Sequence, residues 1–485
     1  MIRAAETSPT LDHSDREARR PCVGPAGVLT LILVAAGVLR AWDLGSLSFW
    51  YDEVVTMSLA ETPGPADLID QLGKIDATRA PLHPLLLQGW IRLFGPSEAS
   101  ARSLSVLCGV AAVYIVSRIG EATFDRSTGL WAAWLAAISP LLVYYSREAR
   151  MYALLVLLTC LCWALLSAPS PLSGRGGKAR LCVYTLGLTA LLYTHPLGLL
   201  MAGALFLATA LGPRRLFGTR GRWVGVHVAA ILLAAPWLPR YIDHAPEFLT
   251  GRLPVKFLLG TPIGFLGGNG LVLAGLVGLA ALGLLRRVAV GRRPEPSALA
   301  GLLIWLAVPP SLLYAYSLVG SPIFGPARYT LFVAPAYLIL VAQGLARLPR
   351  PLQCAAGLLI LVLAGQSLRT TVYATGLKAD WRSFGRALAS RLERDPSAAF
   401  TVLVRSADPA RNVEVETARY YLPPACRILP AGTNPDDALN EPLQGEPYLA
   451  VGIKGPAASP PEPRLGRWGL DQQYPGLAVY RPIDR

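Results

Sequence analysis

The chain has 485 residues, 53% of them hydrophobic and only 16% charged, with a mean hydropathy of +0.42. A soluble domain carries roughly 25% charged residues, so this composition excludes an ordinary soluble globule and points to an integral membrane protein. The formal net charge is +14, but the basic residues fall in short clusters between apolar spans, a pattern that fits positive-inside topology and argues against a nucleic-acid partner.

A membrane-crossing helix needs about 20 apolar residues. Eleven segments are candidates: 24–41, 98–118, 127–145, 150–168, 180–194, 196–212, 223–240, 262–285, 298–319, 327–346 and 352–371. The polar tail 1–22 contains Arg19-Arg20, and the span after it has no small-residue cleavage motif. It therefore reads as an uncleaved anchor with a cytoplasmic tail. The first outer loop is expected over 42–97. Within it, Leu82–Phe94 is apolar but short, and Gln88 and Arg92 interrupt it, so it predicts an interfacial helix. The fifth and sixth spans meet at Thr194-His195-Pro196. The seven cysteines form no CxxC pair, so neither a zinc site nor a disulfide framework is suggested.

Charge sets the orientation. With the N-terminus inside, the cytoplasmic connections carry Arg175, Lys178 and Arg180, then Arg214, Arg215, Arg220 and Arg222, then Arg286, Arg287, Arg292 and Arg293, then Arg347 and Arg350. The connection after the second span is the exception, because Glu121 and Asp125 balance Arg118 and Arg126. Beyond Thr371 the chain turns polar and Pro-rich. Residues 372–485 predict a small α/β extracytoplasmic domain, opened by a helix from Trp381 to Glu393 and containing strands near Phe400–Val404 and Tyr448–Ile453. The expected fold is thus a polytopic α-helical membrane domain, 23–371, with that C-terminal domain outside.

The outer face collects an unusual set of groups. Asp52 and Glu53 stand in the aromatic stretch Leu47-Ser-Phe-Trp-Tyr-Asp-Glu. They suit either general-base chemistry at the lipid–water boundary or the N-terminus of a helix running from Val54 to Glu61. His83, the turn Tyr144–Tyr152 with Arg147, Glu148 and Arg150, then His195 and Arg328 lie on the same side. Each alone has a plain reading, as a snorkelling arginine, a histidine capping a turn before proline, or an interfacial anchor. Together, acids and cations around one membrane cleft suit a sugar leaving a lipid-linked phosphate for an acceptor hydroxyl. A lipid-linked sugar flippase or transporter is the competing class, and it would place its key charges at mid-membrane.

These residues resemble a family. Arg40-Ala-Trp-Asp-Leu-Gly-Ser-Leu-Ser-Phe-Trp-Tyr-Asp52-Glu53, His83-Pro84, Tyr145-Ser-Arg-Glu-Ala-Arg-Met-Tyr152, Tyr193-Thr-His195, Pro326-Ala-Arg-Tyr329 and Lys378-Ala-Asp-Trp-Arg382 are similar to the GT-C membrane glycosyltransferases. The likeness is to the group with protein O-mannosyltransferases and the aminoarabinose transferase of lipid A. The resemblance covers residues 40–382. It implies a polyprenyl-phosphate sugar donor, a lipid, glycan or protein acceptor, an inverting transfer, and a site on the outer face of the cytoplasmic membrane. It makes Asp52 the catalytic carboxylate, with Glu53 and Glu148 as accompanying acids. The phosphate would be served by His83, Arg147, Arg150, His195 and Arg328. A divalent cation, Mg²⁺ or Mn²⁺, would fall to Asp52, Glu53 and Glu148 if this member uses one. The chain departs from relatives at His83-Pro84-Leu85, where a second proline is common, and at Arg150-Met151-Tyr152, where some carry an aspartate.

Overall fold

A computed structural model describes residues 24–75, 80–167, 174–211, 220–242, 263–266, 270–289, 296–319, 327–374, 378–405, 413–431, 435–440, 443–453, 462 and 464–483. The expected tail 1–22 and the basic pairs Arg214-Arg215 and Arg292-Arg293 lie outside these residues.

The first helix, α1 (Pro25–Ala41), ends where Asp43 adopts a left-handed backbone, φ 51°, a conformation that a short polar side chain tolerates. The loop that follows holds three helices, α2 (Tyr51–Ala60), α3 (Pro65–Ile75) and α4 (Leu82–Phe94). The expected helix 82–94 is present with those ends. It buries Leu87 and Ile91 against Val54, Met57 and Ala60 of α2 and leaves Leu93 and Phe94 exposed. Then come α5 (Glu98–Thr123), α6 (Arg126–Ile138), α7 (Pro140–Tyr145), α8 (Tyr152–Ser167), α9 (Gly174–Thr194), α10 (Gly198–Leu211) and α11 (Arg220–Ala234). Further helices run Gly270–Ala289, Pro296–Val319, Ala334–Leu345 and Arg350–Thr371.

Each of the eleven apolar segments therefore folds as helix, whole or in part, in a multi-pass membrane protein. Among the described residues, Glu98–Thr123, Ala298–Val319, Arg328–Leu345 and Arg350–Thr371 are long and apolar enough to cross a membrane by length and composition. Among the described residues three segments are not the continuous helices their composition predicts; the seventh gives way after Ala234 to a turn that contains Pro236. The third breaks at Ser139–Pro140, because proline cannot donate to the preceding turn. The tenth starts as a 3-10 helix, Ala327–Val333, before Pro335. Its continuation, Ala334–Leu345, is buried along its whole length and packs on α6 and on helix 270–289, at the centre of the bundle. The six described cysteines are unpaired.

Beyond Thr371 the chain forms a six-stranded mixed sheet, ordered β2-β1-β3-β6-β5-β4. Its strands are β1 (Phe400–Arg405), β2 (Cys426–Pro430), β3 (Glu446–Gly452), β4 (Arg464–Leu465), β5 (Trp468–Tyr474) and β6 (Leu477–Pro482). β1 pairs parallel with β2 and β3, and the remaining ladders are antiparallel. Helices Trp381–Arg394 and Val413–Tyr421 cover one face, where Trp381, Phe384 and Leu388 bury against Phe400, Val402 and Val404. Gly385 permits the close crossing, since a Cβ there would stand 2.3 Å from the Tyr421 carbonyl oxygen.

Candidate active site

The acid pair Asp52-Glu53 occupies the first turn of α2, where negative charge complements the helix dipole. The helix-start reading of the sequence is therefore right about location, but the two carboxylates have different surroundings. Glu53 is wholly buried. Its Oε1 accepts from Arg102 Nε (2.8 Å) and the Ala149 backbone N–H (2.9 Å); its Oε2 accepts from Arg102 Nη2 (2.8 Å), Lys378 Nζ (2.8 Å) and the Trp50 N–H (3.4 Å). Arg102 also donates to the carbonyls of Leu44 (3.0 Å), Leu47 (2.7 Å) and Ser48 (3.0 Å), so the first loop wraps around this buried pair. Burial by itself raises the Glu53 carboxyl, but Arg102 and Lys378 outweigh it and hold the group well below the usual carboxylate range.

Asp52 keeps 22% of its side chain exposed, and its Oδ2 accepts from Arg328 Nη1 at 3.1 Å. The 3-10 turn places Arg328 there, over the Tyr329 ring, with Trp305 Nε1 bonded to the Phe332 carbonyl at 2.8 Å one turn on. Arg150 donates through Nη1 to the Asp52 carbonyl oxygen (3.0 Å) and to Thr56 Oγ1 (2.6 Å). Asp52, Arg150 and Arg328 thus meet at one point.

The other expected phosphate groups divide. His195 Nδ1 accepts from the Leu197 N–H at 3.0 Å, which assigns the proton to Nε2; that nitrogen is buried without a hydrogen-bond partner. Burial, then Arg150 and Arg328, push His195 down to about 3. Burial and Arg150 push His83 down to about 3 as well. Both histidines are therefore neutral near pH 7. Each can give a phosphate one N–H. Arg147 is placed differently. It donates to the carbonyls of Arg40 (3.0 Å), Trp42 (2.5 Å) and Asp43 (3.4 Å) and lies over the Tyr373 ring, so it pins the end of α1 rather than facing Asp52.

Glu148 is 1% exposed; among the described residues its polar neighbours are the Tyr144 hydroxyl and Lys378 Nζ, which stands 3.7 Å from its Oε1. Burial raises its carboxyl, Lys378 opposes, and the charges of Glu53 and Asp52 add, leaving it raised to about 7. A cleft of about 370 Å³ opens beside it, lined by Tyr144, Arg147, Glu148 and Lys378 among others. Among the described residues no three His, Cys, Asp or Glu side chains converge as a metal site. Both Glu53 oxygens already carry donors, and an ammonium stands between Glu53 and Glu148. The conditional ligand set Asp52, Glu53 and Glu148 does not fit a divalent cation in this arrangement.

Two members of the cluster were absent from the expected set. Arg102 sits four residues into α5, and an ionised group inside an apolar span was itself a signal. Lys378 belongs to the Lys-Ala-Asp-Trp-Arg stretch that carried part of the resemblance. It arrives with a latch. Ser48 donates to Asp380 Oδ1 (3.1 Å), Arg382 donates to the carbonyls of Gly45 (2.7 Å) and Ser46 (2.6 Å) and pairs with Glu98 (3.1 Å), and the Tyr421 hydroxyl donates to Glu98 (2.9 Å). The C-terminal domain is therefore fastened to the loop that carries Asp52.

Residues 78–239 match the family described as dolichyl-phosphate-mannose-protein mannosyltransferase. Over the whole chain the fold is similar to ArnT from Cupriavidus metallidurans in the apo state, with TM-score 0.57 and 14% identity over 94% of this chain and 98% of that one. The chain shares this fold. ArnT bound to undecaprenyl phosphate matches the chain with TM-score 0.56 and 14% identity, covering 95% of it and 99% of the relative. The archaeal oligosaccharyltransferase AglB from Archaeoglobus fulgidus, in complex with an inhibitory peptide and a dolichol-phosphate, matches with TM-score 0.51 and 12% identity, covering 88% and 69%. No curated protein matches the chain in sequence.

Proposed function

We propose that this protein transfers a sugar from a polyprenyl-phosphate donor to an acceptor hydroxyl on the outer face of the cytoplasmic membrane, with inversion and with Asp52 as general base. The observation that carries the reading is the contrast within the acid cluster. Both Glu53 oxygens carry donors and Glu148 is buried, whereas Asp52 is part exposed and its carboxylate pairs with Arg328 at 3.1 Å. ArnT, bound to undecaprenyl phosphate in one structure, and AglB, bound to a dolichol-phosphate in another, support a lipid-phosphate ligand on this fold.

In the reaction, the acceptor oxygen bonds to the anomeric carbon and its proton passes to Asp52. The anomeric C–O bond to phosphate breaks, and the electron pair leaves with the polyprenyl phosphate. Arg328 and Arg150 stabilise charge developing on that leaving group, and the neutral Nε2–H of His195 donates to it. Asp52→Asn tests the reading. It should abolish transfer, by about 2–4 kcal/mol or more of lost transition-state stabilisation, while purified protein still binds undecaprenyl phosphate. Mass spectrometry of lipid-linked sugars that accumulate in a deletion strain identifies the donor. Full complementation of that strain by Asp52→Asn would sink the assignment and favour a transporter without transferase chemistry.

A further inference from the structure

The acid cluster needs a cation, and the chain itself supplies one. Three carboxylates, Asp52, Glu53 and Glu148, lie close enough that the charges of the first two act on the third. Arg102 answers Glu53 and Arg328 answers Asp52. That leaves the space between Glu53 and Glu148, and Lys378 Nζ fills it, 2.8 Å from Glu53 Oε2 and 3.7 Å from Glu148 Oε1, with the Trp50 ring centroid at 5.8 Å. The lysine side chain is only 10% exposed, so its charge is removed from water and is sustained by these two acids. A hard divalent ion would need the same carboxylate oxygens.

We propose that Lys378 is the built-in cation of this acid cluster, a positioning residue that stands where a divalent ion would bind and ties the C-terminal domain to the loop that presents Asp52. The inference extends the proposed function, but it concerns who neutralises the cluster. Its test reads metal binding and stability, so it can fail while the glycosyltransferase reading stands, and the reverse.

Two features separate charge neutralisation from simple fastening. The latch has independent members, above all Arg382 on Gly45, Ser46 and Glu98, that do not touch Glu53 or Glu148. Breaking the latch without touching the cluster therefore reports on fastening alone. In addition, Lys378 is the cation at Glu148, whose other polar neighbour among the described residues is the neutral Tyr144 hydroxyl, so loss of the ammonium leaves its oxygens open to an ion.

The experiment is Mn²⁺ titration of purified full-length protein in detergent, followed by electron paramagnetic resonance, with thermal unfolding in parallel. Wild type should show no bound Mn²⁺ attributable to the cluster, and EDTA should not change its binding of undecaprenyl phosphate. Lys378→Met should lower the unfolding temperature and gain Mn²⁺ affinity of roughly tenfold or more, in the range that neighbouring groups tune metal sites. Adding Glu148→Gln to Lys378→Met should remove that gain. Lys378→Arg should keep wild-type behaviour, and Arg382→Ala should loosen the protein without creating a metal site. Wild-type Mn²⁺ binding that Glu148→Gln abolishes would overturn the proposal, and that measurement does not depend on any Lys378 variant folding. A folded Lys378→Met with wild-type stability and no Mn²⁺ site would overturn it equally.

Discussion

Glu53 and Glu148 share one lysine, yet their environments move them in opposite directions. Glu53 carries five donors and stays ionised, whereas Glu148 is buried with one distant cation and is raised from 4.5 to about 7. A carboxyl raised on folding binds its proton more tightly in the native state. The stability it contributes is complete below its unfolded value and is lost as pH rises through about 7. At 1.36 kcal/mol per unit, that shift corresponds to about 3 kcal/mol at most. Glu148→Gln cannot titrate, so its unfolding temperature, scanned from about pH 5 to about pH 8, should decline less than that of wild type. Parallel curves would show that Glu148 does not change protonation in this window. Glu53 contributes with the opposite sign, and its loss falls in strong acid, outside the scan. The sequence made Asp52, Glu53 and Glu148 legible as acids on one face. It could not distinguish them, because burial and donor count are set by Arg102 and Lys378, which lie 49 and 325 residues from Glu53.

The break between α6 and α7 shows what periodicity misses at the scale of an element. Residues 127–145 are apolar throughout and read as one span, although Pro140 was the available signal. In the structure α6 stops at Ile138, and its end carbonyls are met by a buried arginine from another helix. Arg40 of α1 donates to the carbonyls of Ala136 (3.1 Å) and Ala137 (3.0 Å), and its Nε donates to Ser146 Oγ (3.2 Å). A cation at a helix C-terminus complements the dipole and satisfies carbonyls that have no partner within the helix. Gly109 makes room, since a Cβ there would stand 2.2 Å from Ser146 Oγ and 2.9 Å from Arg40 Nε. Arg40→Met should therefore cost about 3 kcal/mol, as buried acceptors lose their donors, and should show as a lower unfolding temperature in detergent. Because α7 leads directly to the turn that holds Glu148 and Arg150, undecaprenyl phosphate binding should weaken as well. Unchanged stability would mean that the carbonyls find other partners. By contrast, Leu82–Phe94 was readable to the residue, because proline before it and glycine after it bound an apolar run too short to cross.

At the scale of the whole molecule, two charge clusters lie at opposite ends of the helices. One holds Asp52, Glu148, His195 and Arg328. The other joins the connections after α5, after helix 270–289 and after helix 334–345: Asp125 forms ion pairs with both Arg287 and Arg347, and Arg286 donates to the Arg347 carbonyl at 3.0 Å. This explains the one connection that broke the charge pattern in the sequence. Asp125 does not offset the basic loops from the other face; it caps α6 through the Thr128 N–H (2.9 Å) and receives the arginines of its neighbours. We propose, by the positive-inside rule, that the end rich in Arg286, Arg287, Arg347 and Arg350 is the cytoplasmic one, with the acid cluster and the sheet domain outside. Helix 350–371 is the last described helix long and apolar enough to cross, so reporters fused on either side of it decide the matter. A fusion after Leu348 should report from the cytoplasm and one after Tyr373 from outside. The reverse pair would invert the molecule and place Asp52 with cytoplasmic substrates. Both reporters on one side would mean that helix 350–371 does not cross, and the latch from Lys378 to the first loop would then need a different path.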